Sequence, residues 1–173
     1  RRCGSGELVV FHDETGDRLT DGSGRVADLS LAELRTLDVD GSGERIPLLD
    51  EVLAAVPSDV HLQLELKDTG VVADVRDQLT AHAVDVRLSS FQEEILSSIV
   101  ARDWEIPTGF LFADAPRENL RTAVDLGCDA VHPHYDLCLH SDVVRRAHRE
   151  GLDVVAWKAA ETEEEIAALR AAG

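Results

Sequence analysis

The chain contains no methionine, and Lys67 and Lys158 are its only lysines among 17 basic residues. No apolar run approaches the roughly 20 residues that cross a bilayer as a helix, so no stable membrane insertion is expected. No signal-peptide pattern follows Arg1. There are three cysteines, Cys3, Cys128 and Cys138, and none forms a CxxC pair. An odd count without that spacing argues against a disulfide framework and a thiolate zinc site, and reads as reduced thiols in a cytoplasmic protein. Positive charge is scarce too. Against 17 basic residues stand 34 acidic ones, for a formal net charge of −17. Such a surface repels nucleic acid and anionic membranes.

Many acids, few lysines and 44% hydrophobic residues predict adaptation to high salt (a halophilic protein), where screening weakens self-repulsion. The alternative is an ordinary acidic cytoplasmic protein. Dialysis into low salt, followed by circular dichroism, decides between them. Unfolding supports the first reading and undiminished stability removes it. The sequence opens on Arg1-Arg2, so a native translation start is not part of it and further residues are expected upstream.

At 173 residues the chain is long enough for one domain with a real core, taken as 1–173. From Val60 onward, short β-prone runs begin near residues 60, 84, 107, 129 and 152, at spacings of 22 to 24 residues. Helical patterns fill the gaps, at about 71–82, 92–103, 116–127, 141–150 and 162–172. Thr162 with Glu165 reads as a capping box, and Gly127 and Gly151 as helix terminators. Strand and helix alternating at a steady period predict repeated right-handed βα units on a parallel sheet. Their evenness, with no glycine-rich nucleotide loop, favours an α/β fold of the (β/α)8 TIM barrel type over a doubly wound sheet. A barrel needs eight units, so this one is expected to be incomplete. Residues 12–57 do not repeat. After an expected strand at 7–11 they read as an elaborated loop with short helices near 30–37 and 48–56.

Candidate site residues come from strand ends. In the run 61–67, Leu62, Leu64 and Leu66 share one face, and His61, Gln63, Glu65 and Lys67 the other. Strands of βα units are covered on both faces, so an unpaired Glu65 carboxylate there is costly without a cation beside it. His12 ends an apolar run and is followed at once by Asp13. Histidine is the side chain best suited to move a proton near neutral pH. His132 and His134 offer two same-side groups lining a pocket, and Ser89, Ser90, Phe91 and Trp157 also end strands. Asp38–Gly43 resembles a calcium loop, but position twelve is Leu49 where a glutamate is required, so it reads as a solvated turn.

Together, ELVVFHDETGDRLT (7–20), IPLLDEVL (46–53), LQLELK (62–67), LSSF (88–91) and VVAW (154–157) resemble the glycerophosphodiester phosphodiesterase family. The resemblance implies a (β/α)8 barrel of phosphodiesterase type. It implies hydrolysis of a small-molecule glycerophosphodiester to glycerol 3-phosphate and an alcohol, with a divalent cation, Mg²⁺ or Ca²⁺. It matches His12 to a catalytic histidine acting as acid or base, Glu65 to a metal-ligand carboxylate, and Lys67 to a phosphate-contacting lysine. Phe91 and Trp157 match apolar residues beside the glycerol moiety. A lysophospholipase D-like barrel phosphodiesterase is the alternative within enzymes, and a non-catalytic truncated gene product is the alternative outside them. The family's His-Arg-Gly and Glu-x-Asp strands are not in this sequence, and an eighth strand is expected only beyond Gly173. These 173 residues alone are therefore expected to turn over negligibly. Gly16 stands where the family more usually has an apolar residue.

Overall fold

The computed structural model describes residues 1–158 and 162–172. Gly173, after which the eighth strand is expected, lies outside the described residues. The chain divides into two compact units: Arg1–Leu62 with Asp68–Asp85, and Gln63–Lys67 with Val86–Gly173.

In the first unit the expected strand at 7–11 is replaced by single bridges. Leu8 pairs with Arg2 and Val9 with Leu48, both antiparallel. A ladder does not propagate because Pro47 has no N–H to donate, and because the chain turns back where Gly6 N–H bonds the Cys3 carbonyl. Burial still follows the apolar pattern: Cys3, Val9, Val26, Leu34 and Ile46 form the core, with Phe11 and Leu48 packed against it. A 3₁₀ turn, Val26–Asp28, precedes α1, Leu31–Leu34. Ser30 and Glu33 form a reciprocal capping box at its start, which satisfies two otherwise unpaired N–H groups. In α2, Leu49–Ala55, the Glu51 carboxylate accepts the Leu48 N–H at 2.8 Å. Helix α3 spans Val72–Ala81, and the following His82 reaches Asp50 on α2 at 2.8 Å. The Asp38–Gly43 segment is the expected turn: the Asp38 carboxylate accepts the Gly43 N–H at 2.9 Å, and Asp40 adopts φ 55°. Gly16 is buried, and a Cβ there would lie 2.9 Å from Thr20 Oγ1. A side chain there would require Thr20 to shift.

The second unit is built on the sheet. Strands β1 (His61–Glu65, whose first two residues belong to the first unit), β2 (Asp85–Ser90), β3 (Thr108–Phe112), β4 (Ala130–Pro133) and β5 (Asp153–Val154) lie in sequence order. The registered pairs from β2 to β5 are parallel. Helices α4 (Glu93–Val100), α5 (Pro116–Leu126), α7 (Val143–Arg149) and α8 (Glu163–Ala172) fall where the sequence places them. Gly127 ends α5 at φ 73°, Gly151 follows α7 at φ 78°, and Thr162 and Glu165 make their capping box at 3.1 and 3.2 Å. Helix α6, Tyr135–His140, is additional. Its N-cap is His134, expected at a strand end, whose ring nitrogen accepts the Asp136 N–H. Among the described residues no helix is long and apolar enough to cross a membrane.

Register puts Ser89, Gly109 and Ala130 side by side, with Leu111 and His132 one step further along. Arg87 shares this face by alternation and reaches Asp153 on β5 at 2.8 Å. In a flat sheet β2 and β5 stand about 14 Å apart, and side chains standing off the face meet only if the sheet curls. This is the curvature of an incomplete (β/α)8 barrel.

Candidate active site

In the first unit His12 is exposed, and its ring is held from one side. Nδ1 lies 2.6 Å from Asp13 Oδ1. Arg18 grips the same carboxylate through both oxygens, Nε to Oδ2 at 2.6 Å and Nη2 to Oδ1 at 2.7 Å. This bidentate fork fixes the carboxylate plane. The Arg18 guanidinium, and then His12, hold the Asp13 carboxyl well below the usual carboxylate range, so it stays an acceptor throughout the neutral range. An anionic acceptor on Nδ1 keeps the proton there and leaves the lone pair of the neutral ring on Nε2. The sequence offered the His12–Asp13 neighbours but not Arg18, which arrives from five residues on.

In the second unit the ends of β1 and β2 are tied together. Leu66 N–H donates to Ser89 O at 2.7 Å, Ser90 Oγ donates to Leu66 O at 2.8 Å, and Gln92 Nε2 donates to Lys67 O at 2.7 Å. Ser90 Oγ also accepts the Gln92 N–H at 3.0 Å, just before α4. These bonds set the backbone that carries Lys67. Lys67 Nζ sits 3.3 Å from Glu65 Oε1, both side chains largely covered. Phe91 meets Trp157 edge-on, ring centroids 5.4 Å apart, and Phe91 is 44% exposed. His134 packs edge-on against the same indole at 4.9 Å. The Trp157 indole N–H donates to Phe112 O at 3.1 Å, which pins the ring. The structure thus brings Glu65 to Lys67, and Phe91 to Trp157 and His134, while His12 stands with Asp13 and Arg18 in the first unit.

His132 is fully buried, unlike His134, and neither ring nitrogen has a partner. Its ring lies over Gly109. Burial, and secondarily Arg87, push its pKa down to about 4. A histidine whose folded pKa is depressed stabilises the fold fully above its unfolded value of about 6.5. That contribution fades as pH falls from 6.5 towards 4, because the unfolded chain binds the proton more readily. The expected loss is on the order of 3 kcal/mol once pH is below both values. His132→Leu is expected to flatten the stability profile between pH 6.5 and 4 in denaturant titrations. An unchanged profile refutes the assignment.

Among the described residues, no three or more His, Cys, Asp or Glu side chains converge as a metal site. Glu65 offers one carboxylate, and its neighbour is an ammonium. These residues do not by themselves complete a site for a divalent cation.

The glycerophosphoryl diester phosphodiesterase family model matches residues 4–173. The chain belongs to that family of enzymes. A curated relative, the glycerophosphodiester phosphodiesterase of Caldanaerobacter subterraneus subsp. tengcongensis, is 28% identical over 166 residues, covering 88% of this chain and 68% of the relative. The glycerophosphodiester phosphodiesterase of Bacillus subtilis is 28% identical over 183 residues, covering 85% and 60%. The structure of an Oleispira antarctica phosphodiesterase, in complex with the product sn-glycerol-3-phosphate, superposes with a TM-score of 0.89 at 28% identity, over 99% of this chain and 75% of that one. The chain therefore spans about two thirds of its curated phosphodiesterase relatives.

Proposed function

We propose that this phosphodiesterase-family chain carries part of the machinery that hydrolyses glycerophosphodiesters to glycerol 3-phosphate and an alcohol. The observation that carries the reading is the His12–Asp13–Arg18 arrangement, which makes an exposed imidazole into an oriented acid or base. Similarity to the Oleispira enzyme, described with sn-glycerol-3-phosphate as product, supports the substrate class. A phosphodiester is a weak electrophile with a poor leaving group. Lys67 offsets charge on the phosphoryl oxygens, and His12 hands a proton to the departing alkoxide or takes one from the attacking water. Phe91 and Trp157 give the glycerol carbons an apolar wall. Glu65 serves as a divalent-cation ligand only together with donors beyond those described. With those further donors, such a cation, Mg²⁺ or Ca²⁺, would supply positive charge to offset that of the phosphoryl oxygens.

The test is coupled detection of sn-glycerol 3-phosphate from glycerophosphocholine, with and without Mg²⁺ or Ca²⁺, using the protein that carries this chain. Metal-dependent release supports the proposal. Release of choline from lysophosphatidylcholine with none of the glycerol phosphate product would replace it with the lysophospholipase D reading.

A further inference from the structure

Arginine is distributed unevenly over this acidic chain. Four of its 15 arginines line one cavity of about 310 Å³ in the second unit. Arg117 and Arg121 come from α5, one turn apart; Arg146 and Arg149 come from α7. Leu120 and Val124, also on α5, complete the apolar part of the wall. Leu120 is buried and Val124 is 41% exposed. One carboxylate, Glu150, joins the lining. Arg146 is already engaged, its Nε 2.7 Å from Asp142 Oδ2, and this guanidinium holds the Asp142 carboxyl below its ordinary range. Four guanidinium groups against the carboxylates of Glu150 and Asp142 leave two positive charges in excess. Gathering like charges costs free energy unless an anion offsets them.

We propose that this cavity binds a small amphipathic oxyanion: a phosphate head between Arg121 and Arg149, with a short apolar tail along Leu120 and Val124. Three observations converge on that occupant. The guanidinium forks have the planar, two-donor geometry that phosphate oxygens accept. Val124 places exposed aliphatic surface next to those forks, where a purely ionic ligand makes no use of it. The volume matches a ligand of a few heavy atoms beyond the head group. None of these residues belongs to the Lys67 or His12 groups, so the site stands independently of the hydrolytic reading.

Isothermal titration calorimetry with hexyl phosphate, inorganic phosphate and hexanol tests it, at an ionic strength of about 0.05 M so that screening does not mask the charge. The expected result is saturable binding of hexyl phosphate, weaker binding of phosphate, and none of hexanol. Arg121→Ala and Arg149→Ala are each expected to weaken hexyl phosphate about 10-fold or more. Arg121→Lys is expected to lose most of the same affinity, because an ammonium lacks the fork. Val124→Ser is expected to remove the preference for hexyl phosphate over phosphate while leaving phosphate affinity in place. In a Lys67→Ala background, which removes the phosphate contact proposed for the hydrolytic site, the losses on Arg121→Ala and Arg149→Ala are expected to persist. Absence of saturable hexyl phosphate binding, parent-like affinity in the Arg121→Ala and Arg149→Ala variants, or disappearance of the Arg121 and Arg149 effects in the Lys67→Ala background overturns the proposal.

Discussion

Replacing His12 with alanine is expected to lower glycerol phosphate release by about 10²–10⁴-fold in the protein that carries this chain, with little change in stability. The side chain is 67% exposed, so its removal leaves no cavity, and surface changes of this kind stay within about 0.5 kcal/mol. The loss belongs to chemistry rather than to substrate affinity, so it falls on kcat, with KM nearly unchanged. Asp13→Asn separates orientation from proton transfer. An amide in place of the carboxylate frees the ring to carry its proton on either nitrogen, and Arg18 loses its bidentate partner. The expected loss for Asp13→Asn is smaller than for His12→Ala, and Arg18→Ala smaller again, because each acts through the next. Steady-state kinetics on the three variants, with thermal melts as control, read the order. A His12→Ala protein within threefold of the parent would remove His12 from the reaction.

Gly109→Ala is expected to be the most destabilising single methyl addition in the sheet. An added Cβ would stand 2.2 Å from His132 Nε2 and 2.5 Å from its Cδ2. His132 is fully buried on the adjacent strand, so the ring has little room to retreat. Overpacking of this kind costs about 1–3 kcal/mol. The cause is the contact and not the backbone, since Gly109 has no positive φ. Removing the ring should therefore restore the space: the loss in the Gly109→Ala, His132→Ala double variant is expected to fall well below the sum of the two single losses. Denaturant titration of the two singles and the double gives the coupling directly. Additive losses would show that the ring and the glycine do not share the strain. His132→Ala alone costs less than an ordinary large-to-small change, because it also removes two buried ring nitrogens without partners.

The sheet was legible because its code is redundant. Each βα unit repeats an apolar run, a polar helix face and a terminator such as Gly127 or Gly151, so one ambiguous residue does not shift the register. The first unit has no such repetition. Leu8 and Val9 read as a strand, yet what they supply is core volume, each through a single bridge; Pro47 on the facing segment decides this, and only the fold shows that it faces them. Helix α6 was missed because His134 is an unusual cap and because Pro133-His134 reads as a strand stop. At the candidate site, the alternation along 61–67 was enough to bring Glu65 and Lys67 to one face. Arg18 and Ser90 were not assigned these parts, since their bonds depend on turn geometry and on strand pairing that a linear reading does not contain. His132 was grouped with His134 as pocket lining. Its burial over Gly109 depends on a residue 23 positions away, which no local pattern reports.

All three thiols lie in the interior. Burial raises Cys128 to about 11 and moves Cys138 upward as well, while Cys3 Sγ lies within bonding distance of the Glu7 carboxylate at 3.2 Å. Only thiolate reacts readily with alkylating reagents, so the native chain should ignore iodoacetamide and the opened chain should consume it. Cys3 belongs to the first unit, and Cys128 and Cys138 to the second. Mass spectrometry of briefly alkylated samples would then time the opening of each half separately, with no probe added to the sequence.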